Sequence, residues 1–206
     1  LEAGMIEKLI LNDLDPNVYA FWNTVCNEKY EKLIDKIRKY QPSRESYFLY
    51  QKRMLKANIS KIDRAFYFLV INRCSFSGIQ TANPKSNMED RWLPDTLIKR
   101  IEKIHSMSDR IEITNKNAME LIEEMYWDSN TCIFVDPPYI EKGDCLYPVK
   151  FHLHQELAAL ITELLREFPG CADILLTYDD QEILHELYGQ NHIGIHIIGR
   201  KYSCSR

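Results

Sequence analysis

Residues 131–139, Thr-Cys-Ile-Phe-Val-Asp-Pro-Pro-Tyr, restrict the fold of this chain more than any other stretch. Thr131 to Val135 is a short, apolar run, and predicts a buried strand of a parallel sheet with Cys132 as a small buried hydrophobe. Pro137 and Pro138 cannot donate to a strand ladder, so the strand ends at Asp136. Each proline also drives the residue before it into an extended conformation. The product is a stiff turn at the carboxyl end of a strand, where open α/β sheets place their chemistry.

That turn presents a carboxylate, backbone carbonyls and an aromatic ring together. The set suits an exocyclic amine of a nucleobase, whose lone pair is delocalised into the ring. Two acceptors on its N–H bonds draw it toward tetrahedral geometry. Asp136 supplies one acceptor and the Pro137 carbonyl the other, while Tyr139 stacks on a base flipped out of its helix. The bland alternative is an Asp-Pro turn that ends a strand, with Tyr139 as core filler.

The totals fit one ordinary globular domain of 206 residues, 45% hydrophobic and 27% charged. No run approaches a membrane span and no secretory pattern is present. Six cysteines without Cys-x-x-Cys spacing suggest no zinc site and a reduced, cytoplasmic protein. The net charge of −4 gives no global nucleic-acid signature, but it is unevenly spread. Eleven basic residues against four acidic ones lie between Lys29 and Arg64. Such a stretch is either a solvated helix face or a phosphate-contacting surface.

In chain order, Lys8 to Asn12 predicts a strand, and Asp15-Pro16 opens a helix to about Asn27. Helices come next over 29–40, about 45–57 and Ser60 to Cys74, and then residues 79–92 predict an irregular loop, long enough to carry function, with a mobile surface loop as the bland and favoured alternative. Pro94 to His105 predicts a helix, Arg110 to Thr114 a strand, and Met119 to Tyr126 a helix. Beyond the turn, residues 140–152 predict a loop closing over the base, then a helix from His154 to Phe168 that Gly170 ends. Ala172 to Thr177 predicts a second buried strand, and Asp179 the cap of a helix to Tyr188. His192 to Gly199 predicts an antiparallel end of the sheet, paired with Tyr202 onward. His152 and His154 read as structural.

Phe134-Val135-Asp136-Pro137-Pro138-Tyr139, continued by Glu141-Lys142-Gly143 and Leu146-Tyr147, resembles the Dam-like class of adenine-N6 DNA methyltransferases. Asn12-Asp13-Leu14-Asp15-Pro16 is similar to the segment whose first Asp binds the ribose of S-adenosylmethionine. This implies ribose binding by Asp13 and leaves Asp15 as a helix cap. Asn72-Arg73-Cys74-Ser75-Phe76-Ser77-Gly78 resembles the segment that leads into the DNA-contacting region. At Asn117-Ala118 the class usually has an Asp that meets the cofactor's adenine, and Asn retains acceptor capacity without the charge.

The resemblance implies an α/β fold, a Rossmann-like S-adenosylmethionine-dependent methyltransferase sheet with a helical target-recognition insertion. Residues 1–28 and 108–206 are expected to form the catalytic domain, and residues 29–107 the insertion. Asp136, Pro137, Pro138 and Tyr139 are the expected catalytic residues. Asp13, Asn117, Ala118 and Asp136 are expected to meet S-adenosylmethionine, with no metal. Lys52, Arg53, Lys56, Arg73, Ser77 and Tyr147 are expected to meet DNA, whose target adenine is flipped out. A restriction-modification system and a phage both stay open as the setting, and in the former a restriction endonuclease would be a functional companion, not a physical partner.

The Gly-rich loop that usually precedes the Asp13 strand has no counterpart here. The expectation is therefore a sheet lacking its first strand and part of its cofactor site, with weak cofactor binding. Two other readings stay open: a non-catalytic DNA-binding relic, and a methyltransferase for another planar amine or amide in RNA or protein.

Overall fold

Parallel strand pairing carries the architecture of the computed structural model, which describes residues 1–140, 148–189 and 193–199. β1 (Leu9–Asn12) pairs with β2 (Ile111–Thr114), with Leu9 opposite Ile111. β3 (Cys132–Val135) pairs with β4 (Asp173–Leu176), with Val135 opposite Leu176. Each pair is a separate two-stranded sheet among the described residues. The chain divides into two compact units, Leu1–Ala118 and most of the chain from Met119 onward.

In the first unit, Asp15 caps α1 (Pro16–Val25) by accepting from the Asn17 amide, and Pro16 supplies a preset φ at the first helical position. α2 (Tyr30–Lys39) buries Leu33, Ile34 and Ile37, a stripe at helical spacing. α3 (Arg44–Met54) starts at a Ser43–Ser46 capping box. α4 (Lys61–Cys74), capped by Ser60, is the centre of this unit. Seven of its side chains are buried, from Ala65 to Cys74, as expected of a helix enclosed by neighbours. Burying one such side chain, Phe66, stabilises the unit by roughly 1.5–3 kcal/mol. α5 (Pro94–His105) closes the bundle with Leu97, Ile98 and Ile101. Arg64 ties the pieces together through the Asn17 side chain and the Met54 and Lys56 carbonyls, at 2.9–3.1 Å.

Residues 79–92 are not the loose loop that their polar composition predicts. Tyr47 Oη donates to the Ala82 carbonyl at 2.8 Å, and Gln51 Nε2 to that of Gln80 at 2.8 Å. Gln80 Nε2 donates to Asp15 at 2.7 Å. Met88 and Trp92 are buried in the helical core, where Tyr40 meets Trp92 edge-on with centroids 5.0 Å apart. Long-range anchors from α1 and α3 order a segment with no periodicity of its own.

In the second unit, α6 (Ala118–Met125), α7 (His154–Glu167) and α8 (Glu182–Tyr188) surround one face of the β3–β4 sheet. Val135 packs with Leu157, Ile161 and Leu164 of α7, joined by Ile133, Ile174 and Leu176. The Tyr126 hydroxyl lies 3.1 and 2.9 Å from the Leu164 and Phe168 carbonyls, where it satisfies the end of α7. Gly170 then turns the chain at φ +88°.

Three expectations fail here. Cys132 is exposed, because strand alternation puts it with Phe134 on the face turned away from α7. Asp179 does not begin the last helix: Gln181 occupies the cap position and donates from Nε2 to Asp179 at 3.3 Å. Residues 193–199 form no strand, and the rest of that expected pairing lies outside the described residues. No described helix is long and apolar enough to cross a membrane.

Candidate active site

The turn and its support belong to the second unit. β3 ends at Val135, and Asp136 to Tyr139 leave the ladder as the two prolines require. The Thr177 amide donates to the Val135 carbonyl at 3.0 Å, extending the parallel register by one step. Asp136 and Thr177 therefore stand side by side beyond the paired strands. The Thr177 hydroxyl donates to Asp136 Oδ1 at 2.6 Å. Asp136 is exposed, whereas Pro137, Pro138 and Tyr139 are half-buried. An exposed carboxylate followed by a proline-fixed carbonyl offers two acceptors to a planar amine.

Behind the turn, His154 Nδ1 lies 2.8 Å from the Tyr178 hydroxyl. His154 thus anchors the start of α7 to the end of β4, in keeping with its structural reading. Burial, then the neighbouring Tyr188, pushes the Tyr178 phenol above its ordinary range, so it remains a neutral hydrogen-bonding group. Asp179 Oδ1 is buried without a hydrogen-bond partner among the described residues.

The first unit carries a cavity of about 210 Å³ at the carboxyl ends of β1 and β2. Leu11, Val18, Trp22 and Ile113 supply apolar wall, and Asn12, Asp13 and Thr114 the polar rim. Asp13 Oδ1 accepts from the Asp15 amide at 2.8 Å, which orients the carboxylate. Asp13 is exposed by area, yet neighbouring atoms crowd its carboxyl. That desolvation is the largest cause of a raised pKa; the Asp15 carboxylate adds to it, and the Asp15 amide opposes it. Asp15 itself is saturated by Asn17 and Gln80, in agreement with the cap reading.

The polar rim owes its shape to Asn12, which the sequence patterns did not single out. Its Oδ1 accepts from Thr114 Oγ1 at 2.8 Å and the Lys116 amide at 2.9 Å, and its Nδ2 donates to the Lys116 carbonyl at 3.1 Å. Asn115 Nδ2 donates to the Asp13 carbonyl at 2.7 Å. Asn117 and Ala118 are exposed and do not line this cavity. The cavity's chemistry fits an adenosine: apolar and aromatic wall for a flat ring, and a carboxylate for a diol.

The basic stretch is largely solvent-facing. Lys52, Arg53 and Lys56 are exposed, and Arg53 Nη1 donates to the Tyr67 hydroxyl at 3.2 Å. Lys36 is neutralised by Asp63 at 2.8 Å. Arg73 Nη2 donates to the Arg91 carbonyl at 3.3 Å, while its buried Nε has no partner among the described residues. Burial, then the charges of Arg91 and Arg100, pull the Arg73 guanidinium below its usual pKa. Arg91 and Arg100 lie 18 and 27 positions beyond Arg73, so no local motif pointed to this gathering of charge. Ser77 is exposed at φ +55°, a left-handed conformation that bends the chain after exposed Phe76. Lys85 sits over the Phe76 ring at 5.5 Å. Tyr147 lies outside the described residues.

A comparison with curated proteins finds no match. A comparison with family models does, over residues 2–204, which takes in the Asp13 cavity, the basic helices and the Asp-Pro-Pro-Tyr turn. The chain belongs to the D12 class N6 adenine-specific DNA methyltransferase family.

Proposed function

We propose that Asp136 and the Pro137 carbonyl accept the two N–H bonds of the target adenine's amine, with Tyr139 stacked on the flipped base. Family membership makes the chain an S-adenosylmethionine-dependent enzyme that methylates adenine N6 in DNA, and disfavours the non-catalytic reading. The observation that carries the finer proposal is the exposed Asp136 carboxylate at the strand end, ahead of a proline-fixed carbonyl. The amine loses conjugation as it meets the two acceptors, which would free its lone pair to act as a nucleophile. When bound, S-adenosylmethionine supplies that methyl on a positively charged sulfur. Asp13 accepts from the cofactor's ribose hydroxyls, and the apolar wall of the cavity takes its adenine. Asn117 and Ala118, which lie outside the cavity lining, meet the cofactor where it projects from the cavity in this reading.

DNA is held by charge. Lys52, Arg53 and Lys56 meet phosphates, and so does Arg73, supported by the Arg91 and Arg100 charges. Ser77 positions the strained turn against the duplex, and residues 29–107 serve as the target-recognition region. Neutralising a phosphate relieves the mutual repulsion of the three arginines, which is why their convergence favours this reading.

The test incubates the protein with DNA and isotopically labelled S-adenosylmethionine, then digests the DNA to nucleosides. The expected label is on N6-methyldeoxyadenosine, and is lost in Asp136→Ala. Label confined to cytosine, or turnover by Asp136→Ala above about a hundredth of the parent, overturns the assignment.

A further inference from the structure

We propose that Thr177 is a positioning residue for methyl transfer, its hydroxyl locking the Asp136 carboxylate with one oxygen left for the amine. The proposal rests on Asp136 being an acceptor for that amine. Its basis is the parallel register itself. Val135 lies opposite Leu176, and the next ladder bond, from the Thr177 amide to the Val135 carbonyl at 3.0 Å, fixes the Thr177 backbone. Threonine is β-branched and stiff at χ1, so a fixed backbone leaves its hydroxyl few positions.

At 2.6 Å, the bond from Thr177 Oγ1 to Asp136 Oδ1 falls in the short range typical of hydroxyl–carboxylate pairs. Among the described residues it is the only side-chain donor to Asp136. The carboxylate needs such a restraint. Asp136 is exposed and stands beyond the last ladder bond, so an untethered side chain would exchange rotamers. The following proline narrows its backbone but leaves χ1 and χ2 free. A carboxylate has acceptor sites on both oxygens. With Oδ1 held by Thr177, Oδ2 keeps one direction relative to the Pro137 carbonyl. Two acceptors at a fixed separation are what an amine with two N–H bonds requires. A misplacement of about 1 Å costs on the order of 100-fold in rate.

Five variants of the full chain test this in single-turnover methylation with labelled S-adenosylmethionine, alongside steady-state kinetics. Thr177→Val keeps the shape and removes the hydroxyl; its kcat should fall by about 10–100-fold while KM for DNA and cofactor stay within about threefold. Thr177→Ser restores the donor and should stay within about threefold of the parent. Asp136→Ala should be inactive or nearly so, and adding Thr177→Val to it should cost nothing further, because the hydroxyl then has nothing to hold. Thr177→Ala carries the same expectation as the valine should the added methyl disturb the strand end, and melting curves distinguish that case. A Thr177→Val rate within twofold of the parent, equal losses in the serine and valine variants, or penalties that multiply in the double variant would each overturn the role of Thr177. Full turnover by Asp136→Ala would instead overturn the assignment of Asp136.

Discussion

The two strand pairs are built to the same plan and buried differently. In β1–β2, seven of eight positions are half-buried, with only Glu112 exposed. In β3–β4, alternation is strict: Ile133, Val135, Ile174 and Leu176 face the α7 core, while Cys132, Phe134, Asp173 and Leu175 face away. Phe134 is 61% exposed and Leu175 56%, and no described element of their own unit covers them. Parallel sheets are ordinarily covered on both faces. The pair that bears the Asp-Pro-Pro-Tyr turn therefore rests on one layer of helices. The pair that bears Asp13 is held along both strands, and its turns are cross-braced by Asn12 and Asn115. Position at a strand end places both carboxylates, but rigidity comes from different sources: a side-chain network at Asp13, and one hydroxyl at Asp136.

The largest effect should appear at Asp136. Replacement by Ala should lower methylation at least about 100-fold and leave DNA affinity near the parent value, measured by turnover and by fluorescence anisotropy. An equal fall in affinity would assign the turn to DNA binding instead. At the other strand pair, Asp13→Ala should weaken S-adenosylmethionine binding by about 10–100-fold in titration calorimetry, the loss of a hydrogen bond to a charged group worth roughly 1.5–3 kcal/mol. The raised pKa of Asp13 gives the sign of a pH effect. Protonation removes acceptor capacity, so affinity should decline as pH falls, starting above the ordinary carboxylate range. Affinity flat through that range would separate Asp13 from the ribose.

Charge reversal of Lys52 and Arg53 to Glu should weaken binding to all DNA sequences alike and flatten the slope of log affinity against log salt. An unchanged slope would leave those residues as a solvated face. The smallest effects test the two faces of β3. Val135→Ala, on the 8% exposed position, should cost about 1.6 kcal/mol in urea unfolding, for two buried methyl groups. Phe134→Ser should stay within about 0.5 kcal/mol. A Phe134 penalty as large as that of Val135 would mean that a further layer covers this face.

Element types were legible wherever start and stop signals were local. α5 opens at Pro94 and ends at His105, both as expected, and Gly170 closes α7 as its position implies. Ala65, Phe66, Leu69 and Val70 of α4 are buried at helical spacing, while Ile62 at the start of the same stripe is half-buried. What failed depends on distant partners. A four-residue strand is too short for its alternation to reveal which face is covered, so an apolar run alone puts Cys132 and Phe134 inside. Residues 79–92 are ordered by Tyr47 and Gln51, about thirty positions earlier. Thr177 acquires its meaning from Asp136, 41 positions away, through a register that no local pattern records. Within the candidate site, the place of Asp136 at the strand end was readable from its own neighbours, and its hydrogen bond to Thr177 was not.

The same register arithmetic bears on the order of folding. Thr114 and Asn12 are 102 positions apart, whereas α1–α4 and the bundle around them assemble from much nearer contacts. Closing a loop of that length is entropically costly until something shortens it. A helical bundle formed first would be that device, bringing the ends of the intervening chain together before β1 and β2 meet. The Asp13 cavity, which needs both strands, is then expected to assemble after the bundle. Under denaturant it should open first, with cofactor affinity lost at urea concentrations where the helices still hold.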